Sequence, residues 1–248
     1  MIKIKSAHEV AMMRTAGRIT AETFELLKDY IKPGITTREL DKIAAEHIKK
    51  SGASCSFYQY NGYPGHICIS VNDEVVHGIP GKRILREGDI VSVDAGACYG
   101  GYHGDAARTY AVGTISPEAE KLISVTEQSF FEGIKYATAG NRLFDISAHI
   151  QKLVEENGCS VVRALVGHGI GDHLHEDPEV PNFGVSGRGP RLVSGMTIAV
   201  EPMVNLGTYK VNTLPDGWTV VTADGALSAH YENTILITEN GAEILTKC

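Results

Sequence analysis

Apolar residues recur at helical spacing from Val10 through Met13, Gly17, Ala21, Phe24, Leu27 and Ile31. The helix they predict opens at Ser6, where Ser6 and Glu9 form a capping-box pattern, and Lys32-Pro33-Gly34 stops it. A second box, Thr36 to Glu39, opens a helix with Leu40, Ile43, Ala44, His47 and Ile48 on its apolar face, and Gly52 ends it. β-like runs follow. Ile67–Val71 and Val75–Ile79 flank Asn72-Asp73-Glu74 and read as a hairpin. Ile90–Ala95 runs to a turn at Tyr99-Gly100-Gly101, which sends the chain back through Asp105–Val112.

The pattern then starts again. Ser116-Pro117 is an N-cap with proline at the first helical position, and that helix runs to about Ala137. Another helix spans about Arg142 to Asn157, stopped by Gly158. Val161–Val166 reads as a strand ending in Gly167-His168-Gly169, and Met196–Val204 as a further strand. Trp218–Val221 and Leu227–Ile237 read as a hairpin around Ala223-Asp224-Gly225. The glycine pairs Gly34/Gly52 and Gly140/Gly158 have the same spacing, Glu39-Leu40 aligns with Asp145-Ile146, and Ile48 with Val154. Two helix–helix–strand halves, about 1–113 and 114–248, are expected to form one catalytic domain by internal duplication. Without a Gly/Ser linker between them, they should share one sheet and one core.

Composition narrows the function. A net charge of −7 argues against a general nucleic-acid binder and suits a site awaiting cations. Cys55, Cys68, Cys98, Cys159 and Cys248 are odd in number and widely spaced, which fits reduced thiols in the cytoplasm rather than a disulfide framework. No apolar run has the length of a signal peptide or a membrane span.

Four acids interrupt β-like runs: Asp94 in Ile-Val-Ser-Val-Asp, Asp105 just beyond the turn, Glu201 in Thr-Ile-Ala-Val-Glu, and Glu232 in His-Tyr-Glu-Asn-Thr. Aspartate is depleted in strands, and a buried carboxylate without a partner is costly. A hairpin at Tyr99–Gly101 brings Asp94 and Asp105 near each other, an unfavourable pair unless a cation lies between them. Singly, each acid could be an edge residue facing water. Together with His168, flanked by glycines, they point to divalent metals such as Mn, Fe, Co or Zn. Five protein ligands exceed the three of a usual catalytic zinc and suit two bridged ions. His77 and His175 stand out near this set, while His66, His173 and His230 are not ranked by sequence.

Read together, Val-Asn-Asp-Glu-Val-Val-His77-Gly-Ile-Pro, Asp94 with Asp105, Gly-His168-Gly-Ile-Gly, His175-Glu, Glu201-Pro-Met and Tyr-Glu232-Asn-Thr-Ile resemble bacterial type I methionine aminopeptidases over nearly the whole chain. The resemblance implies an α+β pita-bread fold, with two pseudo-symmetric halves around a curved antiparallel sheet covered by helices on one face. It implies one metal on Asp94, Asp105 and Glu232, and another on Asp105, His168, Glu201 and Glu232. It makes Glu201 the proton carrier, His175 the oxyanion donor and His77 the contact to the peptide amide. Tyr60, Tyr63, Cys68 and Trp218 resemble the lining of the family's methionine pocket. Phe57, Leu174, His173 and Asn233 depart from the usual pattern without touching a ligand position.

The expected activity is removal of initiator methionine from nascent polypeptides, near the ribosome, when the second residue is small. The expected protein is a cytoplasmic monomer with no sequence-specific nucleic acid or membrane partner. The runner-up activities are an X-Pro aminopeptidase or prolidase of the same fold, which usually carries an added N-terminal domain, and a non-catalytic binding protein of that fold.

Overall fold

The computed structural model describes residues 1–248. The first helix, α1 (Ala7–Lys28), is capped by Ser6, whose hydroxyl accepts from Glu9 N while the Glu9 carboxylate accepts from Ser6 N. It ends before Ile31, which packs in the core from the following turn. Helix α2 (Thr37–Lys50) has the same reciprocal cap between Thr36 and Glu39. The short β1 (Ser54–Cys55) follows, then β2 (Cys68–Val71), β3 (Glu74–Val76), β4 (Ile90–Tyr99) and β5 (Tyr102–Ala111). The second half begins with α3 (Pro117–Ile134) and α4 (Leu143–Glu156). Its strands are β6 (Ser160–Val161), β7 (Gly167–Gly169), β8 (Glu176–Val180), β9 (Thr197–Val200), β10 (Met203–Asn205), β11 (Val211–Thr213), β12 (Val220–Thr222), β13 (Ser228–His230), β14 (Glu232–Thr238) and β15 (Gly241–Ile244).

Nine strands form one sheet along the path β1-β4-β5-β14-β9-β7-β8, with β2 on β4 and β15 on β14, every pairing antiparallel. Strands of both halves meet where β14 pairs β5. Alternation along the strands separates the two faces. Val91, Val93 and Ala95 of β4 pack with Phe24 and Leu27 of α1, while Ile235 and Ile237 of β14 pack with Leu122 and Phe130 of α3. Asp94 and Glu232 alternate with them and face the other way. The shared sheet agrees with the sequence, but a single core does not. Each helix pair covers its own part of the sheet. One cluster of 22 buried residues draws all but Ile90 from the second half, and one of 14 comes from the first.

The repeat is geometric as well. Helices α2 and α4 both have 14 residues. The glycines before them, Gly34 and Gly140, have φ of 99° and 98°, and those after them, Gly52 and Gly158, 78° and 77°. Gly34 N donates to Leu85 O, and Gly140 N to Leu192 O. The turn glycines Gly88 and Gly195 then open β4 and β9, and Asp94 and Glu201 each stand six residues further on. Two of the four acids thus occupy matching positions in the two halves.

Four strand expectations are corrected. β2 and β3 are not a hairpin pair: β2 joins β4, whereas β3 pairs β12 in a small sheet, and His77 at φ 60° ends β3 early. The expected Val161–Val166 strand is only β6, which pairs β10, and the stretch Met196–Val204 breaks at Glu201-Pro202, because proline has no N–H to give a ladder. β12 and β13 are not a hairpin either, since β13 pairs β10. The breaks fall beside the residues of interest.

Candidate metal centre and its cavity

Register places the acids. Gly96 of β4 faces Asp105 of β5, and Asp94 faces Ala107, so the two aspartates lie diagonally across one ladder. Glu232 opens β14 opposite that same Ala107. His168 on β7 faces Ala199 of β9, which leads into Glu201. Five strands, β4, β5, β7, β9 and β14, therefore deliver five side chains to one place. Nε2 of His168 lies 3.5 Å from Glu201 Oε1 and 3.9 Å from Asp105 Oδ2. One ligand atom each of Asp105, His168 and Glu232 lies within 4.8 Å of the others, and the same holds for Asp94, His230 and Glu232.

The electrostatics are those of a cation site. Burial, with the Asp105 and Glu201 charges adding to it, holds the Asp94 carboxyl well above the usual carboxylate range. Burial, then neighbouring carboxylates, does the same at Glu201 and Glu232, and burial pushes Asp105 up to about 7. Asp94 Oδ1, Asp105 Oδ1 and Glu232 Oε1 are buried with no hydrogen-bond partner. Arg108, the nearby cation, spends its guanidinium on Glu232 O and on Asn233 Oδ1 at 2.7 Å, behind the strand. Buried like charges with orphaned oxygens, beside a neutral imidazole whose pKa burial lowers to about 3, fit hard or borderline divalent ions.

The acids line a cavity of about 370 Å³ together with Phe57, Tyr60, Tyr63, Cys68, His77, Leu174, His175 and Trp218. The expected pocket residues thus meet the expected metal residues. Tyr63 and Trp218 meet edge to face, with ring centroids 5.1 Å apart. His77 is held neutral by burial first and by the neighbouring His175 second, its pKa lowered to about 4. The Tyr60 hydroxyl lies 2.7 Å from Nδ1 of His175, whose ring centroid is 4.2 Å from that of His168.

The histidines that sequence left unranked separate cleanly. His66 is bound to Asp41 at 2.8 Å, away from the cavity, and His173 lies exposed beside Asp172. His230 is 1% exposed, with both ring nitrogens unpartnered and Nε2 at 3.7 Å from Glu232 Oε2. Its place two residues before Glu232, within the single β-like run read there, was the signal, and although the strand breaks at Tyr231 both side chains reach Asp94. Asn233 points instead to Arg108 and Thr246. Val76, Leu165 and Met203 also line the cavity, and they carry no sequence signal beyond being apolar.

Comparison with known proteins follows the same lines. The model of metallopeptidase family M24 matches residues 11–239. A methionine aminopeptidase of Clostridium perfringens is 62% identical over 246 residues, covering 99% of both chains. A crystal structure of methionine aminopeptidase from Thermotoga maritima superposes with a TM-score of 0.99 at 48% identity, covering 100% of each chain. An Xaa-Pro dipeptidase from Bacillus anthracis superposes at 0.81 with 26% identity, covering 99% of this chain but 62% of that one. The chain belongs to metallopeptidase family M24 and has its pita-bread fold. Within the family it stands with the bacterial methionine aminopeptidases, which are metal-dependent hydrolases.

Proposed function

We propose that this enzyme removes the N-terminal methionine of nascent polypeptides whose second residue is small, working as a cytoplasmic monomer near the ribosome. The observation carrying this reading is that one cavity joins the carboxylate cluster to the aromatic slot of Tyr63 and Trp218. An unbranched thioether can thread such a slot and gain sulfur–aromatic contacts of about 0.3–1.5 kcal/mol. The limit to a small second residue follows from the resemblance to the methionine aminopeptidases. No helix is long and apolar enough to cross a membrane.

Two divalent ions (Co, Mn, Fe or Zn), one on Asp94, Asp105 and Glu232 and the other on Asp105, His168, Glu201 and Glu232, would polarise the scissile carbonyl and acidify a water. The remaining steps belong to side chains. Glu201, beside His168, takes the proton of the attacking water and returns it to the leaving amine. His175 turns Nδ1 to the Tyr60 hydroxyl, which leaves Nε2–H free to donate to the developing oxyanion. His77, neutral and half-buried, contacts the peptide amide.

The test is hydrolysis of Met-Ala-Ser and of proline-containing peptides by metal-free protein reloaded with Mn, Fe or Co. Cleavage after the first methionine supports the proposal. Cleavage restricted to X-Pro bonds supports the prolidase reading instead, and no cleavage with any metal supports a binding protein.

A further inference from the structure

The loop that carries His175 is tied down by residues outside both the sheet and the cavity. Lys5, in the segment before α1, donates from Nζ to Glu176 Oε2 at 2.7 Å, and the two side chains are 2% and 5% exposed. The other Glu176 oxygen accepts the backbone N–H of His173 at 3.2 Å. Lys5 also runs directly over Gly171, where a Cβ would lie 2.2 Å from Lys5 Cε. The backbone of Lys5 is anchored in turn, its N–H donating to Gly195 O at 2.8 Å, at the turn that opens β9. Lys3 adds an exposed pair to Asp172. Residues 171–176 are therefore held from one side by the N-terminal segment, and His175 emerges on the other side toward Tyr60 and His168.

We propose that Lys5 is a positioning residue for the peptidase reaction, fixing His175 through its buried ion pair with Glu176. Stability alone is a poor reason for such a pair, because well-packed neutral side chains of similar volume usually serve a fold as well or better. A defined geometry is a better one. Of the loop residues from Asp172 to His175, Leu174 alone is buried, so the Tyr60 hydroxyl and the His168 ring hold the imidazole while the Lys5–Glu176 pair holds the backbone that carries it. A catalytic group displaced by about 1 Å can lose about a hundredfold in rate. The inference rests on the role given to His175 above, and the experiment separates the two.

The measurement is kcat and KM on Met-Ala-Ser, with bound metal quantified, for Lys5→Met, Lys5→Arg, His175→Gln and the double variant Lys5→Met/His175→Gln. Lys5→Met should lower kcat by about tenfold to a hundredfold, with KM and metal content nearly unchanged, and Lys5→Arg should recover much of the loss. In the His175→Gln background, Lys5→Met should cost no further rate, because it acts through the group already removed. A general structural effect would instead multiply the two losses, and that result overturns the proposal, as does wild-type kcat in Lys5→Met. Wild-type kcat in His175→Gln overturns the role of His175 itself, and the clamp with it. Should Lys5→Met fail to fold, Lys5→Met/Glu176→Gln removes both charges together. It should fold and still lose kcat, and wild-type turnover there rejects the clamp.

Discussion

The hydroxyl of Tyr63 donates to the carbonyl of Gly78 at 2.9 Å. That bond ties a wall of the apolar slot to the residue following His77, whose φ of 60° is a conformation few side chains adopt. The slot and the histidine proposed to contact the peptide amide are therefore built as one unit. Gly78 allows no alternative, since a Cβ there would lie 2.2 Å from Ile69 O.

Replacing Tyr63 by Phe keeps the ring against Trp218 and removes that bond together with the longer one, 3.3 Å, to the carbonyl of Ile67. A net hydrogen bond is worth about 0.5–1.5 kcal/mol, so kcat should fall by up to about tenfold with KM for Met-Ala peptides little changed. Steady-state kinetics with metal content measured in parallel check this. A raised KM with normal kcat would show Tyr63 to be a slot wall alone.

Asp105 and Glu232 are each assigned to both proposed ions. Asp105→Asn or Glu232→Gln should therefore remove most activity and weaken the binding of both metal equivalents in calorimetry. Loss of a single equivalent with the other intact would mean the residue serves one ion. Near-normal turnover at saturating metal would reject the two-metal assignment.

Burial raises Asp105 to about 7 in the metal-free protein, against an unfolded value of about 3.9. Asp94, Glu201 and Glu232 move in the same direction. The folded state thus binds protons that the unfolded chain has already released. Their contribution to stability is complete below about pH 4 and is lost as pH rises through 7. Ions require the carboxylate form, so their stabilisation grows over the same range. The rise in Tm on adding Mn should be larger at pH 8 than at pH 5. Without metal, wild type should lose more Tm between those values than Asp105→Asn does. An equal loss in the two proteins would contradict the assignment.

The sequence was most legible where a residue type was costly in its context. Asp94, Asp105, Glu201 and Glu232 could each have faced water singly, but four acids interrupting β-like runs pointed to a shared partner, and the fold brings them to one cavity. Caps at Ser6 and Thr36 were local and equally plain. Strand partnership was not legible, because β3 with β12 and β13 with β10 join segments far apart in the chain. Nor were the breaks at Glu201-Pro202 and His77, where the backbone leaves its strand to aim a side chain at the cavity. His230 was readable in principle from its place two residues before Glu232. Lys5 was not, since nothing near it in sequence predicts that it reaches Glu176.

In the proposed function, one cavity measures an N-terminal methionine and its neighbour against a dinuclear site. The most direct test is kcat/KM of the metal-loaded enzyme for Met-Ala-Ser, Leu-Ala-Ser and Met-Leu-Ser, in wild type and in Trp218→Ala. Leucine branches one carbon too early for the slot, and one branch in an apolar pocket is worth about 1–3 kcal/mol, so Met-Ala-Ser should exceed Leu-Ala-Ser by roughly 10- to 200-fold. It should also exceed Met-Leu-Ser, and Trp218→Ala should narrow the methionine–leucine gap. Equal cleavage of Met-Ala-Ser and Leu-Ala-Ser by wild type would contradict the slot, and equal cleavage of Met-Ala-Ser and Met-Leu-Ser would contradict the limit on the second residue.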